Sequence, residues 1–280
     1  MSTHPEARRE FEYRREDFES IRRTLYQCAG ISMADSKQQL VYSRIARRLR
    51  ALGLSSFSDY LAYLEQHDEE MEQFINALTT NLTAFFREPH HFDTLAKYLR
   101  QHTVPGRRFR LWCTAASTGE EPYSMAMAAI EALGDNPPVD ILATDIDSRV
   151  LAQAMAATYS QERAKDIGSQ RLKRFFLKGR GRHAGLVKVR REVRQLVEFC
   201  QLNLLATGWP VSPPYDLIFC RNVMIYFDKP TQARLLERMV PLLAPGGLYI
   251  AGHSESFSHV SKRIRLVGKT TYQVADGSAA

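Results

Sequence analysis

The chain is poor in cysteine and tryptophan, with four and two among 280 residues. Cys28, Cys113, Cys200 and Cys220 form no C-x-x-C pair, which argues against a thiolate metal site or a disulfide framework. Cys113, Cys200 and Cys220 sit in apolar, strand-like runs, so the thiols are read as reduced and buried, with no metal. Long apolar runs are also missing. The stretch Asp216–Tyr226 is broken by Arg221 and Asn222, so nothing here is fit to span a bilayer. Arg8, Arg9, Arg14 and Arg15 near the N-terminus precede no apolar core, so no secretory signal is expected and the protein is read as cytoplasmic. A G-x-G-x-x-G cradle is absent as well. Pyrophosphate needs several free backbone N–H groups at a helix start, so a nicotinamide oxidoreductase is disfavoured. No Ser-His-Asp or Cys-His device is evident, and there is no internal repeat. The tail Asp276–Ala280 is expected to be disordered.

What is present is ordinary for a globular chain: 44% hydrophobic, 25% charged, net charge +7. The positive charge is clustered. Arg44, Arg47, Arg48 and Arg50 form one group, and Lys178, Arg180, Arg182, Lys188, Arg190 and Arg191 another. Such clusters suit nucleic acid, an acidic membrane or an acidic protein, and are also common on plain solvated faces.

Periodicity divides the chain. From about Arg14 to Asn81 apolar residues recur at three- and four-residue spacing (Leu40, Ile45, Leu49; Tyr60, Leu61, Leu64; Met71, Phe74, Ile75, Leu78), which predicts a small all-helical domain over residues 1–80. Ser56 or Ser58 is expected to cap the helix containing Tyr60. Residues 81–107 read as a linker and entry helix. From 108 to 275 short apolar runs alternate with helical stretches, predicting an α/β domain with a parallel sheet covered on both faces. Strands are expected at Phe109–Ala115, Ile141–Thr144, Val197–Cys200, Leu217–Cys220 and Leu248–Ala251. Helices are expected at Pro122–Leu133, Ser148–Ala157 and Thr231–Leu243, the last ended by Pro245-Gly246-Gly247. A terminal hairpin is expected around Gly268-Lys269. Gly179, Gly181 and Gly185 with the alternating run Leu186–Arg190 mark a small antiparallel β-subdomain inserted at about 174–194.

Two features point to a ligand. Ala115–Pro122 joins a strand to a helix through Gly119, followed by Glu120 and Glu121. Carboxylates there repel pyrophosphate but attract an ammonium or sulfonium; the plain alternative is first-turn capping. Asp145 ends the second strand, where an acid can bind ribose hydroxyls. The plain alternative for Asp145 is an N-cap, for which Asp147 is at least as good, so Asp145 is assigned to ribose and Asp147 to structure. Together they suggest an adenosine ligand without pyrophosphate, a description that S-adenosylmethionine fits.

Four segments then become specific: Asn81–Glu88, Ala116–Ser124, Ile218–Phe227 and Gly252–Glu255. In this order they closely resemble the chemotaxis receptor glutamate O-methyltransferases, the CheR type, over about Ile21–Tyr272. The resemblance implies a Rossmann-like class I methyltransferase domain, S-adenosylmethionine as cofactor and S-adenosylhomocysteine as product. It implies that Asn81, Thr83 and Arg87 close over the cofactor and that Glu120 lies at the first strand–helix turn. It further implies that Asp145 holds the ribose, Asn203 and Leu204 flank the adenine, and Arg221 and Asn222 lie near the methionine part. Tyr226 is implied to face the reacting centre. Arg87 is the candidate for orienting the acceptor carboxylate, the competing reading being that it only orders the linker or cofactor. Phe85 and Phe227 are read as core. The implied partners are acidic chemoreceptor helices, docked on Arg44, Arg47, Arg48 and Arg50. A receptor C-terminal peptide is a further implied partner, added as a strand beside Gly179 and Gly181. A monomer is expected. Two rivals remain. One is a nucleic-acid methyltransferase, suggested by the charge and Ser212-Pro213-Pro214-Tyr215, although that tetrapeptide precedes its strand. The other is a non-catalytic receptor-binding scaffold.

Overall fold

The computed structural model describes residues 10–257 and 259–275. The readings of Arg8 and Arg9 and of the tail Asp276–Ala280 lie outside the described residues. The chain divides into two compact units, Met1–Thr80 and Asn81–Ala280.

The first unit carries α1 (Arg15–Ala29), α2 (Gln38–Leu52), α3 (Phe57–Leu64) and α4 (Asp68–Leu78). The chain turns out of α1 and α2 at Gly30 and Gly53, both left-handed, where a β-carbon would be strained. Ser56 caps α3 by accepting the Asp59 N–H at 3.1 Å. The apolar spacing buries Phe18, Ile21, Ile45, Leu49, Tyr60 and Phe74 completely. One carboxylate lies among them. Glu70 accepts two hydrogen bonds from Arg48, at 2.8 and 2.6 Å, and one from the Tyr60 hydroxyl at 2.8 Å. Burial pushes the Tyr60 hydroxyl far up, so it remains a donor. Arg44 donates to the carbonyls of Ala77 (3.0 Å) and Thr79 (2.5 Å) at the end of α4. Two of the four arginines expected to dock a partner are thus engaged within this unit, because a buried carboxylate and unpaired helix-end carbonyls need donors. Arg47 and Arg50 are exposed, Arg50 pairing with Glu10 at 3.1 Å.

The second unit opens with α5 (His90–His102), then β1 (Phe109–Cys113), α6 (Glu120–Leu133), β2 (Val139–Asp145) and α7 (Ser148–Ala156). The chain then leaves the main sheet through β3 (Thr158–Ser160), α8 (Gln161–Ala164), α9 (Ser169–Phe175), β4 (Phe176–Lys178), β5 (Leu186–Val189) and α10 (Arg191–Arg194). It returns with β6 (Val197–Gln201), β7 (Tyr215–Cys220), α11 (Lys229–Met239), β8 (Leu243–Ala251), β9 (Ile264–Gly268) and β10 (Thr271–Val274). The seven-stranded sheet has the order β6-β2-β1-β7-β8-β10-β9. Its first five strands are parallel, while β10 runs antiparallel to β8 and β9. Period-two alternation sorts the side chains. Leu111, Cys113, Ile141, Leu217 and Phe219 enter one apolar cluster, and Trp112, Ile218, Cys220 and Tyr249 the other.

Several expected boundaries move. The helix expected from Pro122 begins at Glu120, and the one expected to reach Leu243 stops at Met239. Pro245-Gly246-Gly247 lies within β8, where the register against β7 shifts between Tyr215 and Leu217. The proline there marks a bulge, not a helix stop. The small antiparallel sheet has the order β3-β5-β4, so one of its strands lies upstream of the 174–194 range. Three residues without clear alternation gave no strand signal there. Cys28 and Cys200 are half-buried, whereas Cys113 and Cys220 are fully enclosed.

Candidate active site

After β1 the chain moves outward to β2 and β6, then returns to the other side of β1 as β7. Open α/β sheets bind ligands outside the carboxyl ends of strands at such a reversal. The sequence-selected residues Glu120, Asp145, Asn203, Leu204, Arg221 and Asn222 all follow or end β1, β2, β6 and β7 there. Ser212–Tyr215 lies at the opposite end, entering β7.

Asp145 is 7% exposed and organises the turn beside it. Its Oδ2 accepts the Ser117 N–H at 2.8 Å and its Oδ1 the Asp147 N–H at 3.0 Å. Burial pushes its carboxyl up to about 6, the two backbone donors opposing that rise. Asp147 caps α7 by accepting from Arg149 and Val150, and also accepts from the Asn81 side chain at 2.9 Å. The Asn81 carbonyl in turn accepts the Ser117 hydroxyl at 3.2 Å. Asn81 is thereby tied to the ends of both β1 and β2. Thr83 follows it, half-buried.

Gly119 reaches φ +95 where the turn enters α6. Glu120, 1% exposed, accepts the Thr118 hydroxyl at 2.7 Å and pairs with Arg163. Asn203 folds its own loop by accepting the Leu205 N–H at 2.9 Å. Leu204 is buried, and its carbonyl accepts from Arg238 at 3.0 Å and Trp209 at 3.2 Å. The Arg238 guanidinium lies 3.8 Å over the Trp209 ring.

Arg221 is the hub of a polar cluster. Its side chain is fully enclosed, 2.5 Å from Glu121, and also donates to the Arg87 carbonyl. Glu88 stands 3.6 Å from it. Burial lifts the Glu121 carboxyl, and Arg221 offsets only part of that rise. For Glu88 burial is the largest influence and acts upward, but Arg221, His253 and His91 together hold it below the usual carboxylate range. His91, wholly buried, accepts or donates at Thr270 Oγ1 (2.9 Å), and burial beside Arg221 lowers it to about 4. Glu88, His90 and His91 bring ligating atoms within 4.8 Å of one another, and Arg221 already supplies a positive charge to Glu88.

Asn222 takes φ +57, and the Glu255 carboxylate receives both its N–H (3.0 Å) and that of Gly252 (2.6 Å). A β-carbon at Gly252 would lie 2.5 Å from the Asn222 amide nitrogen. Arg87 is half-buried and donates to the Leu82 carbonyl at 2.9 Å. Tyr226, half-buried, closes a short 3₁₀ turn after β7. Phe85 and Phe227 are core residues. Sequence reasoning passed over Glu88 and Glu255 as site components although they stand inside the quoted motifs, and it read Glu121 with Glu120 as attracting a cation without foreseeing its pairing with Arg221. It also passed over Arg163 and Arg238, whose only signal was charge.

The crevice fits S-adenosylmethionine: Asp145 ends β2 as a strand-end acid, and Glu120 and Glu121 follow the tight turn out of β1 at the same end of the sheet. Comparison with known proteins agrees. The family described as CheR methyltransferase, all-alpha domain, matches residues 16–79, and CheR methyltransferase, SAM binding domain, matches residues 81–273. The chain is 56% identical over 267 residues to Chemotaxis protein methyltransferase 2 of Pseudomonas aeruginosa, covering 95% of each. It is 51% identical over 261 residues to the chemotaxis protein methyltransferase of Escherichia coli, covering 92% of this chain and 90% of that one. This chain therefore belongs to the CheR methyltransferase family and takes S-adenosylmethionine as its cofactor.

Proposed function

We propose that the enzyme esterifies glutamate side chains on the cytoplasmic helices of chemoreceptors. Its relatives carry the name chemotaxis protein methyltransferase. The observation that carries the reading is the tie from Arg221 to the Arg87 carbonyl, which fixes the segment bearing Arg87 at the exit of β7. Bound S-adenosylmethionine supplies an electrophilic methyl group, and the acceptor takes it in a displacement that releases S-adenosylhomocysteine. Asp145, Asn203 and Leu204 would hold the adenosine end. Asn81, Thr83, Glu120, Arg221 and Asn222 would hold the methionine end.

A glutamate acceptor is already anionic at neutral pH, with an ordinary pKa of about 4.3, so no general base is needed. Alignment and exclusion of water are the remaining tasks, and alignment alone can contribute roughly 7–11 kcal/mol. Arg87 orients the carboxylate by donating to one of its oxygens, which leaves the other free to attack. Tyr226 adds a hydroxyl donor. Arg47 and Arg50, exposed on α2, meet acidic receptor helices. The small sheet offers an edge at β4, with a groove lined by Thr158, Leu177, Lys178, Arg180 and His183, for an added peptide strand of acidic character. Gly179 is required there, since a β-carbon would fall 2.0 Å from the His183 carbonyl. Among the described residues no helix is long and apolar enough to cross a membrane.

Methyl-labelled cofactor incubated with receptor-containing membranes tests the reading. Base-labile label on the receptor is expected, and Arg87→Ala should keep the fold and lose most turnover. Label stable to alkali, or near-normal methylation by Arg87→Ala, overturns it.

A further inference from the structure

The turn Thr118–Glu120 is held by the excursion that carries the small sheet, as well as by the strands it joins. Tyr159 of β3 donates its hydroxyl to the Thr118 carbonyl at 2.7 Å. Arg163 of α8 donates to the Thr118 hydroxyl at 3.0 Å and pairs with Glu120. That hydroxyl in turn donates to Glu120 at 2.7 Å, so guanidinium, hydroxyl and carboxylate form one directed chain. Gly119 is packed against Tyr159 of the excursion and Ala154 of α7: a β-carbon there would lie 2.9 Å from both Tyr159 Oη and Ala154 Cβ.

The charges differ in their exposure. The Glu120 side chain is 1% exposed, and that of Arg163 is 43% exposed. A polar group so enclosed needs partners to fix its direction. The half-exposed Arg163 guanidinium and the Thr118 hydroxyl are those partners. Resting on the reading of Glu120 as a ligand of the methionine end, we propose that Arg163 is a positioning residue for S-adenosylmethionine, holding the Glu120 side chain aimed. Its removal leaves a buried carboxylate free to turn away, and cofactor affinity falls while the chemistry of the acceptor is untouched. Arg163 therefore acts on KM for the cofactor far more than on kcat.

Calorimetry with S-adenosylhomocysteine tests this on the full chain. Arg163→Ala should weaken binding on the order of tenfold, the scale of one charge-assisted hydrogen bond. Arg163→Lys should recover part of the loss. In a Glu120→Gln background Arg163→Ala should change affinity less than twofold, because its effect runs through that carboxylate. Unchanged affinity in the single variant, or full additivity with Glu120→Gln, overturns the proposal. Should Arg163→Ala fail to fold, Arg163→Lys and Arg163→Gln carry the same cycle. Absence of binding by the unaltered chain would instead overturn the underlying reading of the crevice.

Discussion

Arg221 Nη1 lies 2.5 Å from Glu121 Oε2, and the pair is closed off from solvent. Removing one partner strands the other as a buried charge, at a cost of about 3–5 kcal/mol. Arg221→Met should therefore lower unfolding stability by that order in urea titration. Adding Glu121→Leu should restore much of the stability, since apolar replacements of buried pairs are often neutral. Cofactor affinity should stay lost in both. An Arg221→Met variant as stable as the parent would contradict the pair's structural role.

Asp145 gives the cofactor site a pH dependence. Burial raises its carboxyl to about 6, and a ribose donor favours the ionised form. Affinity for S-adenosylhomocysteine should fall toward tenfold per pH unit below about 6. In the free protein the sign is reversed. The folded state holds the proton more tightly than the unfolded chain, so this group's contribution to stability declines as pH rises from about 4 to 6. A flat binding profile between pH 5 and 8 would count against the ribose assignment.

His91 acts the other way. Burial, with Arg221 nearby, lowers it to about 4. Between that value and the ordinary value near 6.5 the unfolded chain binds the extra proton. Its contribution to stability is therefore lost as pH falls through that window. His91→Gln should be least harmful, relative to the parent, at pH 5 and most harmful at pH 7.5, as read by paired thermal melts. Equal differences at both pH values would refute this.

The arginines of α2 separate by role. Arg48 grips buried Glu70 through two bonds, so Arg48→Ala should cost about 3 kcal/mol or more of stability. Arg47 is exposed, and Arg47→Glu should leave the melting temperature nearly unchanged while slowing receptor methylation. Methylation at the parent rate by Arg47→Glu would remove that side chain from the docking surface.

Much of this was legible in the chain itself. The change from three- and four-residue spacing to short apolar runs located the helical unit and the α/β unit, because each period reflects which side chains face a core. Asp147 was readable as a cap, since a short acid before a helix has few other uses. The engagement of Arg44 and Arg48 was not readable. Their spacing is that of a surface stripe, and only the fold brings Glu70 and the end of α4 to them. β3 escaped notice because three residues carry too little alternation. Glu121 and Glu255 sat inside recognisable motifs, yet spacing cannot say which acid in a motif turns inward.

The Glu255 carboxylate receives N–H groups from residues just past both β7 and β8. Two neighbouring exits of the sheet thus share a single oxygen, and Gly252 lets them lie this close, since a β-carbon there would fall 2.9 Å from that oxygen. This corner of the sheet is expected to keep its geometry whichever acceptor arrives. Tuning toward different acceptors is expected of exposed apolar side chains in the same motifs, Leu82 at 78% and Ile225 at 51% exposed. Relatives that modify unlike receptors should differ at those two positions while keeping this corner unchanged.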